Sequence, residues 1–247
     1  MSLAMKTKIF YKKIFMYGHI GAICRYLHLK KVLSNLQIQF PAKVLDAGCG
    51  NGEIAFALAK RFSEMKLNAV DKVFSPWWEF LAAPNLKFAV SDLEQGEFEH
   101  TEYDLIYSVD VLEHIEKNRF VIQWLAGSLK RNGKFVILMP AKVDNAHLFG
   151  KKFYRHFEEW ASREHIGPRY TLRELEDIIR GLDLTIIESF YTFGFWGQLA
   201  SDIETVARAK VGILSNLLLP ILFIFAVLDT GVRWSGGNGL LLIATKP

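Results

Sequence analysis

Apolar positions along this chain switch between two spacings. Short continuous apolar runs, bounded by Gly, Pro, Asn or Asp, alternate with stretches in which apolar residues recur every third or fourth position. The first spacing suits a strand buried on both faces, the second a helix with one buried face. Runs at 43–46, 67–71, 86–90, 103–109, 134–139, 184–190 and 240–245 predict strands. Between them, 53–62 predicts a helix with Ile54, Leu58 and Phe62 on one side, and 76–81 a short helix opened by Pro76. A further helix is expected at about 119–129, stopped by Asn132-Gly133. Thr171 and Glu174 have the spacing of a capping box and open a helix to about Arg180. Ahead of the first strand, residues 6–37 are rich in Tyr, Phe, Ile, Leu and Lys and predict one or two amphipathic helices, closed by Phe40-Pro41.

This alternation predicts an α/β fold around a mostly parallel sheet with helices on both faces. The expected organisation is an N-terminal helical cap at 1–40, then one domain at 41–247 with a hydrophobic helical insertion at about 192–238. Within the insertion, 211–228 is almost continuously apolar. As a helix of about 18 residues it would span roughly 27 Å, the lower edge of a bilayer crossing. Topology opposes that reading: if the last strand pairs with the sixth, both ends of the insertion lie on one side. Asp202, Glu204, Arg208 and Lys210 bar a second span, and Pro220 interrupts the run. The expectation is a helical hairpin over the sheet or a site mouth, with peripheral membrane contact or a homodimer through 192–238 as alternatives. Lys12, Lys13, Arg25, Lys30 and Lys31 would suit an anionic surface.

The densest chemical signal is Val44-Leu45-Asp46-Ala47-Gly48-Cys49-Gly50-Asn51-Gly52. A buried strand runs into alternating glycines and then a helix. Without Cβ atoms the backbone can pass close beneath a ligand, and the helix start offers unpaired N–H groups. Gly50, Gly52 and Ala55 also satisfy the dinucleotide fingerprint, with Asp71 placed to hold a ribose. A nicotinamide-dependent oxidoreductase is therefore an alternative, although Asp46 beside the loop would repel a pyrophosphate.

The spacing Asp46-x-Gly48-x-Gly50-x-Gly52 resembles the first motif of the class I, Rossmann-like S-adenosylmethionine-dependent methyltransferases, and the later matches follow in that family's order. The segment 68–71 resembles the strand whose acid takes the ribose hydroxyls, here Asp71 followed by Lys72. Val90-Ser91-Asp92-Leu93 resembles the turn whose acid meets the adenine amine. The run from Tyr103 to Ile115 resembles the fourth-strand motif, in which Asp110, Val111 and Leu112 would flank the methionine part. The resemblance implies a seven-stranded sheet with an antiparallel last strand. It also implies S-adenosylmethionine as cofactor, with S-adenosylhomocysteine as product, held by Asp46, Gly48, Cys49, Gly50, Gly52, Asp71, Lys72, Asp92, Leu93, Asp110, Val111 and Leu112. Within that family the chain resembles the type 11, ubiquinone-biosynthesis-like group of small-molecule methyltransferases. A non-catalytic methyltransferase-like partner subunit is a further alternative.

Asp110, Glu113 and His114 would converge if the chain turned helical after Val109. Some relatives carry a Glu-x-x-Glu-His metal site there; this chain has Asp first, and no metal is assigned. His165 and His114 are the candidate bases, since imidazole titrates near neutrality. His147 and His156 read as surface positions.

Of the 247 residues, 51% are hydrophobic, enough for a large core, and the formal charge is +4. That mildly basic balance permits an anionic partner but does not require one; with the methyltransferase resemblance, a small or lipid-like acceptor is expected rather than nucleic acid. Two cysteines, Cys24 and Cys49, form no disulfide framework. With no apolar core behind the N-terminal lysines, a cytoplasmic protein is expected, with or without peripheral contact at a membrane.

Overall fold

The computed structural model describes residues 19–96, 102–142 and 163–247. The expected helical stretch at 6–18, together with His147 and His156, lies outside them. Helix α1 (Ile20–Asn35) leads into β1 (Ala42–Ala47), α2 (Glu53–Arg61), β2 (Met65–Asp71) and a 3-10 turn at Pro76–Phe80. Strands β3 (Leu86–Val90) and β4 (Tyr103–Val109) follow, then a 3-10 turn at Leu112–His114, α3 (Asn118–Gly127) and β5 (Leu129–Pro140). The chain continues through α4 (Leu172–Arg180), β6 (Thr185–Thr192), α5 (Phe195–Val211), α6 (Leu219–Thr230) and β7 (Gly239–Thr245).

The seven strands form one sheet in the order β3-β2-β1-β4-β5-β7-β6. Strands β1 to β5 pair in parallel, while β7 runs antiparallel between β5 and β6. The order reverses between β1 and β4, which opens a crevice at the carboxyl ends of those strands.

Alternate side chains of the central strands feed two cores. Leu45, Ile106, Phe135 and Leu242 pack with Val121, Leu125 and Leu175 of α3 and α4 on one face. Val44, Leu105, Val136 and Leu241 pack with Leu29, Val32 and Leu58 of α1 and α2 on the other. Both faces are therefore apolar, as a buried parallel sheet requires. Truncating a fully buried leucine such as Leu45 or Leu105 removes about 2–5 kcal/mol. A third core joins Ile20, Ile23 and Cys24 of α1 to Leu219, Leu222 and Ala226 of α6.

Two local expectations change. Helix α3 ends at Gly127, with the Ser128 amide bonded back to Trp124 and Leu125 carbonyls, so Asn132-Gly133 is not its stop. Those two residues instead kink β5. Asn132 has φ 63°, and pairing with β4 jumps from Tyr103↔Leu129 to Leu105↔Lys134. A side chain at Gly133 would lie 2.9 Å from the Tyr103 carbonyl oxygen.

The apolar run 211–228 is interrupted, as expected, but ahead of Pro220 rather than at it. Gly212, with φ 56°, ends α5, a 3-10 segment follows at Gly212–Leu218, and Pro220 sits in the first turn of α6, where a missing N–H costs nothing. A helical hairpin forms as expected, but it packs on α1 rather than over the sheet or the crevice. No described helix is long and apolar enough to cross a membrane.

Candidate functional site

The crevice holds a cavity of about 350 Å³. Its floor is the glycine loop after β1. The amides of Gly48 and Cys49 both donate to the Val70 carbonyl, 2.9 Å away, tying the loop to β2. A Cβ on Gly48 would lie 2.3 Å from a methyl of Val111, so the β4 end closes directly over the loop. Gly50 differs: it has φ 52° and nothing within 4 Å of a built Cβ. Its glycine leaves backbone open to the cavity, as a ligand lying against it needs. Trp78 braces the loop from behind. It donates Nε1–H to the Gly50 carbonyl at 2.9 Å and stacks on Phe88 at 5.2 Å.

Carboxylates from neighbouring strand ends ring this loop. Asp71 ends β2 and accepts the amides of Gly50 at 2.8 Å and Val73 at 3.1 Å. Each oxygen keeps acceptor capacity for a ligand hydroxyl. Asp92 accepts the Glu94 amide and the Gln95 side chain, which fixes the turn after β3. Asp46 is buried and accepts the Tyr107 hydroxyl at 2.9 Å. Burial pushes its carboxyl up to about 7; the Tyr107 hydrogen bond pulls the other way and the Asp71 charge adds to the rise. Among the described residues no cation pairs with Asp46.

Of the residues expected at a cofactor, Asp46, Gly48, Cys49, Gly50, Asp71, Lys72, Asp92, Leu93, Asp110 and Val111 line the cavity, as does His114. Gly52, Leu112 and His165 do not. Gly52 is the cap from which α2 starts, and Leu112 is fully buried in the core beneath.

The expected convergence of Asp110, Glu113 and His114 is corrected. Asp110 takes φ 52°, and the following turn is 3-10 rather than α-helical, so its carboxylate swings to an ion pair with Arg25 of α1. His165 takes its place. Ligand atoms of Glu113, His114 and His165 all lie within 4.8 Å of one another. His114 Nδ1 meets the Glu164 carbonyl at 2.9 Å, and the two imidazoles meet edge to face at 4.9 Å. Glu113 is buried with Oε2 unpartnered; burial and the Asp110 charge push its carboxyl up to about 8. Burial and the neighbouring His114 lower His165. This trio has donors of the kind divalent ions use, and the same groups are of the kind that can relay a proton.

Sequence patterns missed Ala22, Asn51, Glu53, Ile54, Glu94, Val109 and Ile115 in the lining, and Arg25 and Trp78 behind it. Asn51 and Ile54 sit within the glycine motif and were within reach of it. Ala22 and Arg25 arrive from α1, which no loop motif announces.

A family model described as a methyltransferase domain matches residues 20–189. A trans-aconitate 2-methyltransferase of Enterobacter sp. (strain 638) is 29% identical over 115 residues, covering 46% of this chain and 45% of that protein. A ubiquinone biosynthesis O-methyltransferase of Rickettsia typhi is 26% identical over 141 residues, covering 54% and 57%. The chain thus spans about half the length of the curated relatives it matches. Among solved structures, Haemonchus contortus phosphoethanolamine N-methyltransferase 2, in complex with S-adenosyl-L-methionine, superposes with a TM-score of 0.61. It is 20% identical, with 89% of this chain and 52% of that one covered, and the likeness is one of fold.

Proposed function

Because the chain belongs to the methyltransferase domain family, we propose that its cavity binds S-adenosylmethionine and that it methylates a small or lipid-like acceptor. One observation carries the reading. Asp46, Asp71, Asp92 and Asp110 gather around an open glycine loop, and among the described residues Asp46 pairs with a hydroxyl rather than a cation. A ligand bearing an ammonium and a sulfonium supplies the missing positive charge. A pyrophosphate brings more negative charge to the same place, which disfavours a nicotinamide cofactor.

The residues divide the work by position. Asp71 takes the ribose hydroxyls, and Asp92 with Leu93 meets the adenine. Gly48, Cys49 and Gly50 lie beneath the nucleoside, with Lys72 at its edge. Asp46, Asp110 and Val111 surround the methionine part, while Gly52 and Leu112 hold the loop and wall from behind. When bound, S-adenosylmethionine supplies a methyl group already activated by positive sulfur, so the protein chiefly has to position and desolvate. His114 faces the cavity and accepts a proton from an acceptor hydroxyl or amine. His165, against its ring, passes that proton outward or tunes the imidazole. Arg25 neutralises Asp110, which keeps the acidic corner from repelling an acceptor anion.

Calorimetry with S-adenosylhomocysteine and with NAD separates the two cofactor readings; tight binding of NAD alone ends the proposal. Asp71→Ala removes two charge-assisted hydrogen bonds to the ligand and loosens the loop, so affinity for S-adenosylhomocysteine falls by roughly 100-fold or more. An unchanged Kd removes Asp71 from the ribose. Incubating the protein and labelled cofactor with fractionated small-molecule and lipid extracts identifies the acceptor by mass.

A further inference from the structure

The outer face of α6 is apolar where water should meet polar side chains. From Leu217 to Leu228 no residue has a polar side chain. Leu219, Leu222 and Ala226 are buried in the contact with α1. Leu217, Ile221, Phe223, Ile224, Val227 and Leu228 stay exposed, Leu217 to 77% and Ile221 and Ile224 to 56% each. Leu217, Ile221, Ile224 and Leu228 follow helical spacing and form one outward stripe. A helix apolar on every side is normally covered.

Charge around the stripe points to what covers it. From Phe193 to the end of the chain the only acids are Asp202, Glu204 and Asp229, and all three are buried. Asp202 accepts from Gln198, Glu204 takes the Ile20 amide and Arg208, and Asp229 takes His28 and the amides of Phe193 and Gly197. Helix α1, packed alongside, has no acid at all. Cations bracket the stripe instead. Lys210 is exposed at the end of α5, and Lys31 reaches the Thr230 carbonyl at the far end of α6. On neighbouring β6 the acid Glu188 is matched by Arg233.

We propose that this face is a docking surface for an anionic lipid bilayer, with α6 lying in the plane of the interface. The 12 residues of α6 span about 18 Å, too short to cross but suited to lie flat with one face in the acyl boundary. Apolar side chains flanked by cations, with the hairpin's own carboxylates Asp202, Glu204 and Asp229 turned inward, match such a surface. A two-fold contact between copies would set each cationic rim against its own kind.

The surface stands apart from the cavity, and its test reads binding to lipid rather than methyl transfer. The full chain is sedimented with vesicles of phosphatidylcholine alone and of phosphatidylcholine mixed with phosphatidylglycerol, at low and high salt. Binding is expected to the mixed vesicles and to weaken with salt. The double variant Ile221→Glu, Ile224→Glu should lose roughly tenfold or more in partitioning. The exposed-site control Ile187→Glu should bind like the parent, and the melting temperature of each variant confirms folding. Absence of vesicle binding overturns the proposal, whether the protein then sediments as a monomer or as a dimer that Ile224→Glu dissociates. Equal binding to neutral vesicles at all salt concentrations overturns the charge assignment.

Discussion

At the scale of single residues, Asp46 is the most informative group in the cavity. Burial raises its carboxyl from the ordinary 3.8 to about 7, so the folded, unliganded protein holds this proton more tightly than the unfolded chain does. That contribution to stability is complete below about pH 4 and is lost as the pH rises towards 7. The melting temperature of the unliganded protein should therefore decline across that window, and Asp46→Asn should flatten the decline. A cationic ligand reverses the preference by stabilising the carboxylate. Affinity for S-adenosylmethionine should rise with pH up to about 7, with proton release measurable in buffers of different ionisation enthalpy. Affinity independent of pH between 5 and 8 in the parent protein would remove Asp46 from the cationic end of the ligand. This residue was legible in the sequence because acid and glycines lie within one short motif. Its raised carboxyl was not, because the burying groups come from β2 and β4.

At the scale of elements, the hairpin is organised around one buried carboxylate. Asp229, near the end of α6, accepts the amides of Phe193 and Gly197 and meets His28 Nε2 at 3.0 Å. Gly197 lies in the first turn of α5, where N–H groups have no partner within the helix, so α6 caps α5 from a distance. The fit is close: a Cβ at Gly197 would fall 2.8 Å from Asp229 Oδ2. Asp229→Ala leaves two buried amides and an imidazole unmatched, and should cost about 3–5 kcal/mol in urea unfolding. Asp229→Asn, keeping one acceptor, should cost less. A loss below 1 kcal/mol for the alanine variant, on the scale of a surface change, would show that the hairpin is held by its apolar contacts alone. The sequence showed this region as an apolar run with a proline in it. Where the run would break depended on Gly212 taking a positive φ, and its pairing partner depended on His28, far away in the chain. Periodicity registers neither. The strands were easier to place, since each carries its own apolar run and its own stop.

At the scale of the molecule, α1 joins three parts that sequence order keeps apart. It packs on the sheet through Leu29 and Val32, on α6 through Ile20 and Ile23, and lines the cavity with Ala22. Arg25 completes the link. Its guanidinium pairs with Asp110 at the end of β4 and lies 4.9 Å from the centre of the Phe193 ring, where β6 gives way to the hairpin. A ligand held against Asp110 therefore acts on a residue whose partner belongs to α1. Binding energy realised there should suppress opening of α1 as well as of the strand ends. Hydrogen exchange should accordingly slow across α1 when S-adenosylhomocysteine is added, alongside the expected slowing after β1, β2 and β4. Arg25→Met keeps most of the side chain's apolar stem but removes the pair. In that variant the strand-end protection should persist while the added protection of α1 disappears. If α1 exchange in the parent protein does not respond to ligand, the helix is a passive wall and the Arg25–Asp110 pair carries no coupling. If it responds equally in Arg25→Met, the coupling runs through the apolar contact at Ala22 instead.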